Sequence, residues 1–182
     1  MGGFDDAEVP GAGFVLRGLV ADDVGDLVQT CNDPDVRRWL PLPSPYLDAH
    51  ARWFVEEWAP AQQESGAGLV RAITVRGRFH GTIDLRKADW RVPSVEISYM
   101  VAPWGRGQGL AVRATQLLST WALAQGMSRI ELRAAAGNDA SLRTARAAGF
   151  TEEGVLRQAG VTHAGPVDLV VFSRLASDDP ST

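Results

Sequence analysis

The feature that most constrains this chain is a junction. An apolar, strand-like stretch, Ser94 to Val101, runs into the glycine-rich turn PWGRGQGLA at 103–111, which opens directly into an alanine- and leucine-rich helix. A helix start leaves backbone N–H groups without intrahelical partners and carries partial positive charge, so it is an anion seat. Gly107 and Gly109 put no side chain in the way, and Arg106 adds a cation suited to phosphate oxygens. By themselves the glycines fit equally well a turn that needs them for conformational reasons alone. Spacing removes two phosphate devices. A P-loop requires a Lys after its second glycine, whereas the residue five positions beyond Gly105 is Leu110. A dinucleotide fingerprint started at Gly105 or Gly107 would end on Leu110 or Val112, where it needs glycine or alanine.

Strands and helices alternate irregularly around that junction. A strand is expected over 14–19, followed by a helix over 22–32 with Asp22 as N-cap and Asp33-Pro34 closing it. A short helix over 35–40 follows. Asp48 caps another that reaches Ala59, with Trp53, Phe54 and Trp58 on one stripe. Strands over 69–75 and 79–85 are joined by the hairpin signal RGR. After the strand 94–101 come a helix over 108–125 ended by Gly126, a strand over 129–135, a helix over 139–148, and strands near 150–156 and 167–175. This order implies an α+β mixed sheet with helices packed on it. The 182 residues suit one domain, read as 13–176, with loose ends at 1–12 and 177–182.

Composition excludes several classes. A net charge of -4 argues against nucleic-acid binding. No apolar run approaches the roughly 18 residues of a membrane span, and the start lacks a signal peptide's basic and apolar regions, so a cytoplasmic protein is expected. Cys31 is the only cysteine and reads as a packing residue. His50, His80 and His163 are dispersed, and no metal is expected.

Arg106-x-x-Gly109-x-Ala111 resembles the pyrophosphate-binding Arg/Gln-x-x-Gly-x-Gly/Ala segment of the GCN5-related N-acetyltransferase (GNAT) superfamily. SVEISYMVAPWGRGQGLA is similar to that superfamily's strand, proline and loop, and NDASLRTARAAGF to its Asn-x-x-Ser helix ending in Gly-Phe. NDPDVRRWLPLP, PYLDAHARWF and the strand VDLVVFSRL resemble the bacterial RimJ/RimL-like branch, which acetylates protein N-termini. The match extends over about 13–175. It implies a GNAT fold, a mostly antiparallel sheet of about seven strands splayed at the cofactor site.

The resemblance also implies acetyl-CoA as acyl donor and a primary amine as acceptor, either a protein N-terminus or a small molecule. Transfer would be a direct attack in a ternary complex. Arg106, Gly107, Gln108, Gly109, Leu110 and Ala111 would hold the pyrophosphate; Met100, Val101, Asn138 and Ser141 would meet the pantetheine arm. A backbone N–H near Met100 or Val101 would face the acetyl oxygen. Glu96 is the candidate base, set against a plain solvent-facing carboxylate. The tyrosine that many members place before Gly-Phe falls on Ala145, and Ser141 is the substitute acid, set against a first-turn hydroxyl beside the N-cap Asn138. Trp39, Asp84 and Asp168 are candidate acceptor-site residues, with core packing or a buried hydrogen bond as the alternative. Another acyl-CoA such as succinyl-CoA, or a non-catalytic acyl-CoA-binding module, remains open, and a homodimer is compatible with the chain.

Overall fold

The structure is a computed structural model that describes residues 2–178. Among these residues one sheet of eight strands runs in the order β1-β2-β3-β4-β5-β6-β8-β7. The strands are β1 Val9–Gly11, β2 Phe14–Arg17, β3 Leu69–Val75, β4 Arg78–Asp89, β5 Ser94–Val101, β6 Arg129–Ala135, β7 Thr151–Thr162 and β8 Gly165–Leu175. Each neighbouring pair is antiparallel except β5 and β6, which are parallel.

The helices are α1 Val24–Asn32, α2 Pro34–Trp39, α3 Asp48–Trp53, α4 Ala59–Glu64, α5 Leu110–Ala124 and α6 Asp139–Ala147. A π turn over Phe54–Trp58 joins α3 to α4, so the segment after Asp48 stays helical past the expected end at Ala59. Pro60, which has no N–H to give, follows directly on this π turn, where Ala59 N donates five residues back to Phe54 O. No helix among the described residues is long and apolar enough to cross a membrane.

Alternation along the central strands divides the core in two. Ile83, Leu85, Val95 and Ile97 face the layer holding α5, packing with Leu110, Ala114 and Leu118. The opposite face carries Ala72, Phe79 and Met100 against α1, α3 and the π turn through Val24, Leu27, Cys31, Ala51 and Val55. Asn32 ties the proline-rich loop to this second layer: its side chain donates to Tyr46 O at 2.7 Å and accepts from Tyr46 N at 3.0 Å.

Three expectations need correction. Within the expected loose end 1–12, the described residues from 2 onward are tied down: β1 pairs with β2, and Phe4 is buried against Trp90 and Trp121. The fully buried Arg71 anchors the same segment by donating to Asp6 at 2.9 Å. Asp22 does not cap the next helix. A 3-10 turn over Ala21–Asp23 precedes α1, and Asp23 is buried, accepting from Val20 N at 3.0 Å and paired with Arg17 at 2.7 Å. The sheet has one strand more than expected. Of the far end, Ser177 and Asp178 finish a short 3-10 turn, and 179–182 lie outside the described residues.

Candidate active site

The parallel pair creates the site because its pairing stops early. β5 and β6 are in register only from Ser94↔Arg129 to Glu96↔Glu131. Beyond Glu96, β5 continues to Val101 paired with β4 alone, and a gap opens towards β6. Both following helices start at this carboxyl end, α5 after β5 and α6 after β6, so their N-terminal N–H groups converge on the gap.

Backbone alternation identifies the groups that β5 offers there. Ala102 N donates to His80 O at 2.9 Å, which makes 80 and 102 a hydrogen-bonded pair. The unbroken register Thr82↔Met100 and Asp84↔Ser98 then turns the Met100 and Ser98 N–H groups towards β4. Those of Tyr99 and Val101 point into the gap. Of the two oxyanion donors considered, Val101 therefore fits and Met100 does not. Met100 contributes its side chain instead, with its sulfur 3.9 Å from Cys31 Sγ. Burial pushes the Cys31 thiol up to about 12, which rules out a nucleophilic thiolate.

On the rim, the chain turns at Pro103–Gly105 and enters α5 through Gly107 at φ 73° and Gly109 at φ 67°, both left-handed. Gly109 is the N-cap and no side chain caps α5, so the N–H groups of Leu110, Ala111 and Val112 have no intrahelical acceptor. A Cβ at Gly107 or Gly109 would meet nothing within 4 Å, so the glycines serve backbone conformation and open access, not packing. Gln108 folds back to donate to Trp104 O at 2.9 Å. Arg106 differs from expectation. Its guanidinium donates to Asp33 at 2.5 Å and Asp35 at 3.0 Å, fastening the loop to the start of α2. Asp33 is also the α2 N-cap, accepting from Asp35 N and Val36 N; against the opposing effect of burial, the Arg106 guanidinium first and these backbone donors second hold its carboxyl below the usual aspartate range. The cradle as it stands is backbone.

Asn138 caps α6 by accepting from Ser141 N at 3.1 Å. The Ser141 hydroxyl lies 3.0 Å from the Tyr99 hydroxyl, which crosses from β5. Burial raises the Tyr99 phenol above its ordinary range. The sequence alone does not reveal this pair, because Ser141 and Tyr99 are far apart in the chain. The odd-numbered face of β5 is the available signal.

Glu96, the expected base, is committed elsewhere. It sits at the last paired position, with its side chain 7 % exposed, and accepts from Arg86 Nε at 3.0 Å and Lys87 Nζ at 2.8 Å. These two cations pull its carboxyl below the ordinary glutamate range although burial acts the other way. It lies five residues, roughly 16 Å along the strand, from Val101. Each of its two oxygens is thus occupied by a cation from β4.

Of the acceptor-site candidates, Trp39 reaches the gap. A Cβ at Gly137, next to Asn138, would lie 3.5 Å from its ring, so α2 spans from the glycine loop to the β6–α6 turn. Asp84 is half-buried on β4, and the Ser98 hydroxyl reaches both its oxygens at 2.8 and 2.9 Å. Burial pushes its carboxyl up to about 6, moderated by the Arg86 charge and the Ser98 hydrogen bond. Asp168 holds backbone in place: it accepts from Gln158 N at 2.8 Å, pinning the register shift of β7 where Gln158 has φ 49°. With Arg157 and Gln158 it also lines an open hollow of about 700 Å³. No cluster of His, Cys, Asp and Glu among the described residues is able to hold a metal ion.

Residues 14–151 match the acetyltransferase (GNAT) domain family. The chain belongs to that family. It is an acyltransferase of the GNAT type. The uncharacterized N-acetyltransferase p20 of Bacillus licheniformis is 25% identical over 165 residues, 89% of this chain and 92% of p20. Among solved structures, the RimL ribosomal L7/L12 alpha-N-protein acetyltransferase in complex with coenzyme A superposes with a TM-score of 0.87 at 21% identity, covering 95% of this chain and 100% of that one. RimJ of Mycobacterium smegmatis, in complex with CoA-disulfide, gives 0.86 at 21% identity, covering 100% and 93%. These two likenesses establish the fold.

Proposed function

We propose that this GNAT member transfers an acetyl group from acetyl-CoA to a primary amine, with a protein N-terminus as the acceptor class, in the cytoplasm. The observation that carries the reading is the parting of β5 from β6 with the uncapped α5 N-terminus on its rim. The N–H groups of Leu110 to Val112, supported by Gly107, Gln108 and Gly109, receive the pyrophosphate. The pantetheine arm lies along the unpaired edge of β5 and past Asn138, as an added strand would. The Val101 N–H meets the acetyl oxygen, and removing one such donor in acyl-transfer enzymes typically slows turnover about 100- to 1000-fold. Ser141 protonates the departing sulfur, with the Tyr99 hydroxyl behind it. Among the described residues no nucleophile paired with a base lies in the gap, which favours direct attack over an acyl-enzyme. The N-terminal acceptor class is supported by the fold shared with RimL and RimJ and by the Trp39 ring over the entrance.

Thiol release from acetyl-CoA, measured against peptides beginning with Ala or Ser and against small amines, tests the reading. Turnover with a peptide is expected. The absence of any thermal shift with acetyl-CoA would overturn it.

A further inference from the structure

With Glu96 held at the base of the splay, the reaction needs another group to accept the acceptor's proton. We propose that Asp84 is this general base, acting on the sheet face opposite the Tyr99–Ser141 pair; the inference rests on the acetyl-transfer reading above.

Placement is the first argument. Asp84 pairs in register with Ser98, the residue before Tyr99, whose N–H opens into the gap. The Asp84–Ser98 pair is two residues, about 7 Å, from the Thr82–Met100 pair beside the oxyanion donor. An amine nitrogen, or one bridging water and an amine, spans that interval. The Asp84 side chain lies on the face carrying Met100, whereas Tyr99 and Ser141 occupy the face of α5 and α6. Base and acid are therefore separated by the thickness of the sheet, and the thioester between them is approached from one side and leaves to the other.

The second argument is hydrogen-bond capacity. A carboxylate has about four acceptor positions, and a serine hydroxyl has one proton to give. Ser98 approaches both Asp84 oxygens but satisfies only one of them at a time. The charged groups that act on Asp84 are Arg86 and Glu96, and Arg86 is itself engaged with Glu96. Asp84 thus has unfilled acceptor positions on the face from which a cationic amine arrives, and burial in the sheet tunes it to about 6, where a general base works near neutral pH.

In the step, the ammonium gives one proton to the Asp84 carboxylate and its lone pair forms the C–N bond to the carbonyl carbon. The C–S bond then breaks, and sulfur leaves as a thiolate that takes a proton through Ser141. The second nitrogen proton passes to solvent and balances the one that sulfur takes up. Asp84 afterwards returns its own proton to solvent, the one net proton released.

Asp84→Asn is expected to lower kcat about 100-fold or more at pH 7.5, leave acetyl-CoA binding unchanged, and remove the acidic limb near pH 6 from the kcat/KM profile. Ser98→Ala, which deletes a hydrogen bond to the carboxylate, is expected to keep turnover and move that limb to higher pH. An Asp84→Asn enzyme that retains kcat within about twofold overturns the proposal, as does one that loses only KM for the amine, since Asp84 would then bind and not deprotonate. If Asp84→Asn fails to fold, an unshifted limb in Ser98→Ala overturns it. Wild-type protein inactive on every amine would instead fail the acetyl-transfer reading.

Discussion

The Tyr99 hydroxyl lies 3.0 Å from the Ser141 hydroxyl and so couples β5 to the first turn of α6 across the mouth of the gap. A serine alone is a poor proton donor, and a buried phenol behind it supplies a replacement proton. Ser141→Ala is expected to lower kcat about 100-fold and Tyr99→Phe about tenfold, neither changing KM for acetyl-CoA more than threefold. Steady-state thiol release gives both values. Equal, full activity in the two variants would separate this pair from the chemistry.

The loop before α5 predicts an unequal pair of binding defects. Arg106→Ala removes a side chain already spent on Asp33 and Asp35, so acetyl-CoA affinity is expected to fall less than about tenfold. Gly109→Val places a β-branched residue at φ 67°, a conformation it does not tolerate, and reorients the first N–H groups of α5. Calorimetric titration is expected to detect no acetyl-CoA binding by that variant.

Glu96→Gln tests the reassignment of the expected base. Its partners keep exposed charge, Arg86 at 40% and Lys87 at 68%, so losing the pair is expected to cost about 1 to 3 kcal/mol of stability at pH 7 with kcat within threefold of wild type. The folded-state carboxyl lies below the ordinary glutamate range. Its stabilisation is therefore present above that range and lost as pH falls through the folded value. Denaturant melts of wild type and variant are expected to converge in acid.

Asp84 has the opposite linkage. Its carboxyl titrates at about 6 in the folded chain and near the ordinary aspartate value of about 3.8 when unfolded. Between these values the folded state binds more protons, so stability falls as pH rises through the window and the full penalty stands above about pH 6. Asp84→Asn removes the penalty. Its thermal midpoint is expected to exceed that of wild type at pH 8 and to match it at pH 4, the stability side of a group kept for chemistry.

What can be read from the sequence follows from the range of each interaction. The loop and Asn138 are legible because backbone turns and caps are written in consecutive residues. The ion pairs of Glu96 are not legible because they depend on Arg86 and Lys87 of the neighbouring strand, and a one-strand reading does not see a cross-strand register. The Tyr99–Ser141 contact escapes for the same reason across a longer separation. β1 is missed because it has only three residues and a proline, so its evidence is the burial of Phe4 and its pairing with β2.

A sheet that stops pairing midway exposes peptide groups, and alanine substitution leaves peptide groups where they are. A genetic screen of single alanine variants will therefore register Asp84, Ser141 and the entrance around Trp39, and pass over the seat of the donor almost in silence. Proline at Val101, which deletes the N–H facing the gap, is the single substitution suited to reveal it.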